Sequence, residues 1–235
     1  MRKRLMVVFS GAGLSAESGL PTFRAADGLW ENQRVEDVAT PEGFNRDPKL
    51  VLEFYAARLK ACRAAAPNAA HLAISRLQDR YDVVNFTQNV DDLLERAGCT
   101  HVYHLHGSLF RRRCTACEYV GDQSVPVAIG DSCPQCAAQL RPDVVWFGEG
   151  VRMPPRTKIA RMISQMVTNL GVFICIGTSL QVYPAARLVT DFARVRRKYV
   201  INPEPVRPSG FTLLQGPAAS QMVALAYALE RGDCL

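Results

Sequence analysis

The sequence predicts an α/β fold: a doubly wound parallel sheet with a smaller lobe set into it. Four observations carry that prediction. Residues Leu5 to Phe9 form a short apolar run rich in Val and Phe, which reads as a buried strand. The run passes at once into Ser10-Gly11-Ala12-Gly13-Leu14-Ser15-Ala16, whose G-x-G-x-x-A spacing lets a strand turn tightly into a helix. Further apolar runs at 82–86 and 172–176 also end in small or polar residues. Finally, Cys114-x2-Cys117 and Cys133-x2-Cys136 stand fifteen residues apart, a spacing that gathers four thiolates around one ion.

Composition narrows the class. A chain of 235 residues buries a real core as one domain, or as one domain with an insertion. Hydrophobic content of 48% with 21% charged residues excludes a disordered chain. The net charge of +6 is modest, and the runs Arg111-Arg112-Arg113 and Arg194 to Lys198 read as solvated faces, so nucleic acid is not expected as a partner. The five apolar residues after Met1-Arg2-Lys3-Arg4 are too few for a signal peptide, and no stretch is long enough to span a bilayer. A cytoplasmic location and no membrane partner are therefore expected. In that compartment eight cysteines point to metal before disulfides.

The elements follow in order. Gly11 and Gly13 offer backbone amides for close approach to a pyrophosphate, with a helix N-terminus behind them. Ser18 to Arg24 then breaks the helix early. Glu31 lies where a ribose-binding acid belongs, but no strand pattern precedes it, so ribose contacts must come from elsewhere. Residues 48–66 and 69–81 read as two helices, the second capped by Asn68, together forming an inserted helical lobe. The strand 82–86 delivers Thr87-Gln88-Asn89-Val90-Asp91 to a carboxyl edge. Asn89 or Asp91 would cap the next helix, 91–97.

A strand from His101 to His106 places His104 and His106 on one face, and the residues alone leave the choice of a catalyst open. The paired knuckles form a closed four-cysteine zinc site, structural because no coordination position stays open. No basic or aromatic stripe lies between the knuckles, which disfavours nucleic-acid contact. Cys62, Cys99, Cys175 and Cys234 read as buried or free thiols. Residues 140–149 are strand-like and 156–169 helical. The strand 172–176 ends in Gly177-Thr178-Ser179. A helix at 185–197 leads to the strand 199–201 and Asn202-Pro203-Glu204, and Gly216-Pro217-Ala218 opens a last helix to about Arg231.

The string GAGLSAESGLPTFR at 11–24 resembles the opening motif of the sirtuins, the NAD-dependent protein lysine deacylases. TQNVD at 87–91, HLHGSLF at 104–110, the segment 140–149, GTS at 177–179, Asn202 and the late Gly-x-Ala are similar to the later motifs of that family. The resemblance implies a Rossmann-like NAD-binding domain of residues 1–37, 82–110 and 141–235. Its small lobe would combine a helical insertion, 38–81, with a zinc module, 111–140.

By the same resemblance NAD would be held by Gly11, Ala12, Gly13, Ser15, Glu17, Phe23, Arg24 and Trp30. Gln88, Asn89, Val90 and Asp91 would serve its nicotinamide side. Gly177, Thr178, Ser179, Asn202, Pro203, Glu204 and Ala218 would serve the adenosine side. Phe23 and Arg24 would shield the reacting ribose, Gln88 and Asn89 contact it, and Asp91 hold the carboxamide. His106 would be the general base, a role that suits an imidazole near neutrality, with Asn89 beside it as the second catalytic residue. Segment 140–149 would pair with an acyl-lysine peptide as an added strand, Val145 and Phe147 lining the lysine channel. Leu94 departs from the family, which usually has His there.

The pair Tyr55 and Arg58, three apart on one helix face, matches the third class of sirtuins, the CobB-type enzymes, and Ala39 matches its small pocket residue. That likeness implies an acyl chain ending in a carboxylate, succinyl or malonyl, beside acetyl. The implied chemistry releases nicotinamide, free lysine and O-acyl-ADP-ribose. A protein ADP-ribosyltransferase of the same family is the alternative. A dehydrogenase would need the acid after a second strand, which is missing.

Overall fold

A computed structural model of the chain describes residues 3–22, 29–30, 33–206 and 208–232. Its strands are β1 (Arg4–Ser10), β2 (Leu29–Trp30), β3 (Gln33–Arg34), β4 (Tyr81–Thr87), β5 (Val102–His104), β6 (Gly107–Cys114), β7 (Val120–Asp122), β8 (Leu140–Val144), β9 (Val172–Ile176), β10 (Arg197–Asn202) and β11 (Thr212–Gln215). Its helices are α1 (Val35–Val38), α2 (Pro41–Arg46), α3 (Pro48–Ala64), α4 (Ala69–Arg76), α5 (Leu93–Arg96), α6 (Arg156–Thr168), α7 (Arg187–Asp191) and α8 (Ala218–Arg231).

Six strands form one sheet in the order β11-β10-β9-β1-β4-β5, every pairing parallel. β1 lies inside it, which explains why its apolar run is nearly continuous rather than alternating: both faces are covered. Met6 and Val8 join the core under α4 and α8. Leu5, Val7 and Phe9 join the opposite core, with Ile159, Met162 and Met166 of α6 and Leu188 of α7. Ser10 is level with Thr87 of β4 and Ile176 of β9, so three carboxyl ends finish side by side. In doubly wound sheets that edge is where ligands bind.

A third core joins Val38, Val51, Phe54, Tyr55 and Leu59 of the α1–α3 region to Leu109, Cys114, Cys133, Leu140 and Val144 of the antiparallel sheet β7-β6-β8 and its knuckles. Helix α4 does not belong to it. Ala70, Ala73 and Ile74, with Leu77 just beyond, pack under the parallel sheet beside α8. The helical insertion drawn over 38–81 therefore divides, and only its part before Asn68 packs with the zinc-knuckle region.

Element boundaries also differ from expectation, and the helix expected over 69–81 ends at Arg76, with Tyr81 already in β4. The strand expected at 101–106 stops at His104, because β5 pairs with β4 only as far as Thr87↔His104. The segment expected to be strand-like through 149 pairs only to Val144. The helix expected over 185–197 is short, because Arg197 already begins β10 by pairing with Val172. Helix α5 likewise spans only Leu93–Arg96 of the expected 91–97, since Asp91 and Asp92 still belong to the preceding turn. β11 was not foreseen: its TLLQ string is only partly buried, at the sheet edge.

Among the described residues no helix is long and apolar enough to cross a membrane. Gly107 takes φ +78°, and a Cβ there would meet the Asp143 carbonyl oxygen at 2.0 Å, so only glycine lets β6 start against β8 immediately after His106. Asp143, fully buried, is gripped in two hydrogen bonds by Arg152, which ties the end of β8 to the following loop.

Candidate active site

The turn after β1 is built from interlocked backbones. The amides of Gly11 and Gly13 donate to Ile176 O (3.0 Å) and Gly177 O (2.8 Å). A Cβ on Gly11 would meet Gly177 O at 2.7 Å, and one on Gly13 would meet Gly177 Cα at 2.7 Å. The glycines do permit a close approach, but to the end of β9. Their own N–H groups are therefore already bonded within the chain. Two short 3-10 turns, Ala12–Leu14 and Ala16–Ser18, replace a continuous helix. Phe23 and Arg24 lie outside the described residues.

Ser15 is the hub of the next layer. Its Oγ donates to Asp91 Oδ2 (3.0 Å), accepts from Asn89 Nδ2 (3.1 Å), and lies 3.5 Å from Nε2 of His71. The tautomer of His71 follows from its neighbour: the Asn68 backbone N–H donates to Nδ1 (3.2 Å), so the proton of the neutral ring sits on Nε2 and points to Ser15. A hydroxyl has one proton and two lone pairs, and Ser15 uses all three. Burial lowers His71 to about 4, which keeps the ring neutral. Asn68 also binds Leu14 O (2.8 Å) and Ser18 Oγ (3.0 Å) while capping α4, so one residue fastens this helix to the glycine turn. Asp91 Oδ1 accepts from Leu93 N (3.1 Å), but the N-cap of α5 is Asp92, one residue later than expected; burial raises the pKa of Asp91 against the pull of that bond and of Ser15.

Two histidines hold the two carbonyls of the loop after β4. His106 Nδ1 lies 3.1 Å from Gln88 O, and His104 Nδ1 lies 2.8 Å from Asn89 O. A carbonyl only accepts, so both rings carry a proton on Nδ1. His106 thus keeps the Nε2 lone pair of a base, and burial lowers its pKa against the pull of Gln88 O. The amide of Asn89 donates to Thr87 Oγ1 (3.0 Å) and Val90 O accepts from Leu109 N (2.9 Å), which fixes the loop from both sides.

The expected adenosine side is partly assembled. Gln88 Nε2 donates to Thr178 Oγ1 (3.1 Å), and Asn202 Nδ2 lies 3.5 Å from Thr178 O. Glu17 caps α8, accepting from Ala219 N (2.7 Å) beside buried Ala218. Ser179, Pro203 and Glu204 are exposed. Ser15, Asn89, Asp91, Thr178 and Asn202 are all at least nine-tenths buried at the carboxyl ends of four parallel strands. So much polar surface at a dry sheet edge fits a ligand rich in ribose hydroxyls and amides, as NAD is.

The cysteines fit zinc. The sulfurs of Cys114, Cys117, Cys133 and Cys136 all lie within 4.8 Å of one another. Neighbouring pairs stand 3.4 to 3.6 Å apart, close to the ~3.8 Å that a tetrahedron of ~2.3 Å Zn–S bonds requires. Backbone amides of Ala116, Cys117 and Gln135 point at Cys114 and Cys133 sulfurs (3.3–3.4 Å), stabilising thiolate charge.

On the other side of His106, Val145 N donates to His106 O (2.9 Å) and Phe147 N to Ala39 O (2.9 Å), so this segment ties His106 to the residue after α1. Trp146 N donates to Glu149 Oε2 (2.9 Å). With these three amides bonded, a peptide strand adding here would have to donate its own N–H groups to the segment's carbonyls. Phe147 is exposed and Val145 half-buried, whereas Trp146 is buried, stacked under Arg141 (3.8 Å to the ring). Trp146 Nε1 donates to the hydroxyl of Tyr55 (3.0 Å). Arg58, 7% exposed, lays its guanidinium 4.1 Å over the ring of Trp30 and 5.8 Å from that of Phe54. Trp30, expected with the NAD set, thus lies against the Tyr55–Arg58 wall. The residues that sequence reasoning missed here are His71, Glu95 and Trp146, and for His104 it missed the partners. Asn68-x-x-His71 was readable as a capping box, but the partners of the others are distant in the chain.

A six-stranded parallel sheet with a polar carboxyl edge, a loop held by two histidines and a lobe of paired cysteine knuckles defines a dinucleotide-binding α/β protein with structural zinc. The chain belongs to the Sir2 family, whose model matches residues 11–184. It is 40% identical to an NAD-dependent protein deacylase of Pyrococcus furiosus over 98% of this chain and 95% of that protein. It is 52% identical to the NAD-dependent protein deacylase of Escherichia coli K12 over 81% of this chain and 68% of that protein. Among solved structures, a Sir2 homologue–NAD complex superposes with a TM-score of 0.82 at 38% identity, covering 98% of this chain and 91% of that one. A Sir2–p53 peptide–NAD complex superposes with 0.73 at 27% identity, covering 98% and 94%.

Proposed function

We propose that this chain is an NAD-dependent protein-lysine deacylase acting on acetyl-lysine and, through Arg58, on succinyl- or malonyl-lysine. Its partners are acylated proteins and peptides. NAD supplies the electrophilic sugar carbon and receives the acyl group. Asn89 and Asp91, held in place by Ser15, present a fixed set of donors and acceptors to the nicotinamide and its ribose. His106, neutral and protonated on Nδ1, takes a proton at Nε2. Val145 and Phe147 flank the lysine, between His106 and Ala39. The clustered thiols are the form a reducing compartment preserves, which supports a cytoplasmic location.

The observation that carries the acyl reading is Arg58: a guanidinium, fixed in charge, buried in a wall of Trp30, Phe54 and Tyr55. The stacked rings compensate part of the cost of burial. A carboxylate reaching that wall gains a two-pronged partner. Tyr55 supports it. Burial raises its pKa, so the phenol stays protonated, and because its oxygen accepts from Trp146 its proton remains available to a ligand. Arg58→Met should lower desuccinylation about a hundredfold, the scale of a lost charge-assisted pair, while deacetylation survives. Equal loss of both activities would make Arg58 a residue of the fold and remove the carboxylate reading.

A further inference from the structure

We propose that His104 is a positioning residue that works as an imidazolium: held by Glu95, it fixes the carbonyl of Asn89 and so sets the loop that receives NAD. This rests on the reading of that loop as NAD-binding. The geometry gives both ring nitrogens an acceptor, Asn89 O at 2.8 Å from Nδ1 and Glu95 Oε1 at 2.7 Å from Nε2. The carbonyl requires a proton on Nδ1. A neutral ring would then turn its Nε2 lone pair on a carboxylate oxygen at contact distance, which is repulsive, so the fitting state carries both protons.

The charged groups that face the ring are Glu95, from α5, and Asp91, from the loop before it, both acids. Burial alone would lower the pKa of His104, but the hydrogen bond and charge of Glu95, with the Asn89 carbonyl and the Asp91 charge, together outweigh it and raise the pKa. His104 and His106 therefore hold adjacent carbonyls in different charge states at neutral pH, one a cation and the other a neutral base. As pH rises through the pKa of His104, one N–H is left for two acceptors, the Glu95 contact turns repulsive, and the hold of the ring on Asn89 O is weakened. Asn89 also donates to Ser15, so the loss reaches the hub.

The test follows the His104 imidazole by NMR and NAD affinity by calorimetry across pH, in wild type, Glu95→Gln, His104→Asn and His104→Leu, each checked for an unchanged melting temperature at neutral pH. His104 should titrate above the ordinary histidine value of 6.5. NAD affinity should fall along that titration, and Glu95→Gln should move both to lower pH. His104→Leu should weaken NAD about tenfold, the scale of one charge-assisted hydrogen bond. His104→Asn, whose amide donates from near the Nδ1 position, should recover most of that loss without the alkaline fall. His104 titrating below 6.5, or His104→Leu binding NAD as the wild type does, overturns the proposal. Absence of NAD binding to wild type at every pH overturns the NAD reading itself, whatever His104 does.

Discussion

Nδ1 of His106 lies 3.1 Å from the carbonyl oxygen of Gln88, and this bond leaves Nε2 as the basic face of the ring. Burial lowers the pKa of His106, so its basic form persists to lower pH than in an ordinary histidine. A base must be unprotonated, so kcat/KM for deacylation should rise with pH through that pKa, with a midpoint below 6.5. His106→Ala should lower kcat by about a hundredfold or more while NAD still binds. An acid limb centred above 6.5, or full activity in the variant, would contradict the assignment.

His71 makes stability depend on pH. Its folded pKa of about 4 lies below the ordinary 6.5, so its contribution is fully present above 6.5 and is lost as pH falls toward 4, where the unfolded chain binds a proton that the folded chain refuses. The loss should approach about 3 kcal/mol. His71→Gln keeps an acceptor for the Asn68 amide, as in other capping boxes, but does not titrate. Thermal melts between pH 7 and pH 4 should fall less steeply for the variant. Parallel curves would remove His71 as the source.

Zinc loss should reach beyond the knuckles. Cys114 and Cys133 share one core with Val51, Phe54, Tyr55 and Leu59, so the metal supports the wall that holds Arg58. Cys114→Ser, or a strong chelator, should lower the melting temperature by about 10 °C, which corresponds to a loss of ~4 kcal/mol. Elemental analysis should find one zinc per wild-type chain. A wild type without zinc, melting as the variant does, would refute the site.

What was legible in the sequence was local. The β1 run, the glycine turn, the polar string after β4 and the paired knuckles each carry their signal within a few residues, because strand burial, tight turns and metal ligation impose short-range spacing. Asn68 capping α4 was readable for the same reason. What the local signals could not carry was partnership. The glycine amides look available until Gly177 is seen against them, about 165 residues away in the chain. Nothing near His104 announces that Glu95 and Asn89 O meet its two nitrogens. Likewise α4 reads as part of a helical insertion until its apolar face is seen to match α8, a late element. β11 was hidden because a half-buried edge strand lacks a continuous apolar run.

The most direct test is mass spectrometry of a succinyl-lysine peptide incubated with the enzyme and NAD, with nicotinamide and NADH measured in the same reaction. An NAD-dependent deacylase should leave a peptide lighter by its succinyl group, nicotinamide released in equal amount, no NADH, and a small product carrying both the acyl group and ADP-ribose. A peptide heavier by ADP-ribose, an intact succinyl-lysine beside a cleaved acetyl-lysine control, or NADH in place of nicotinamide would contradict it.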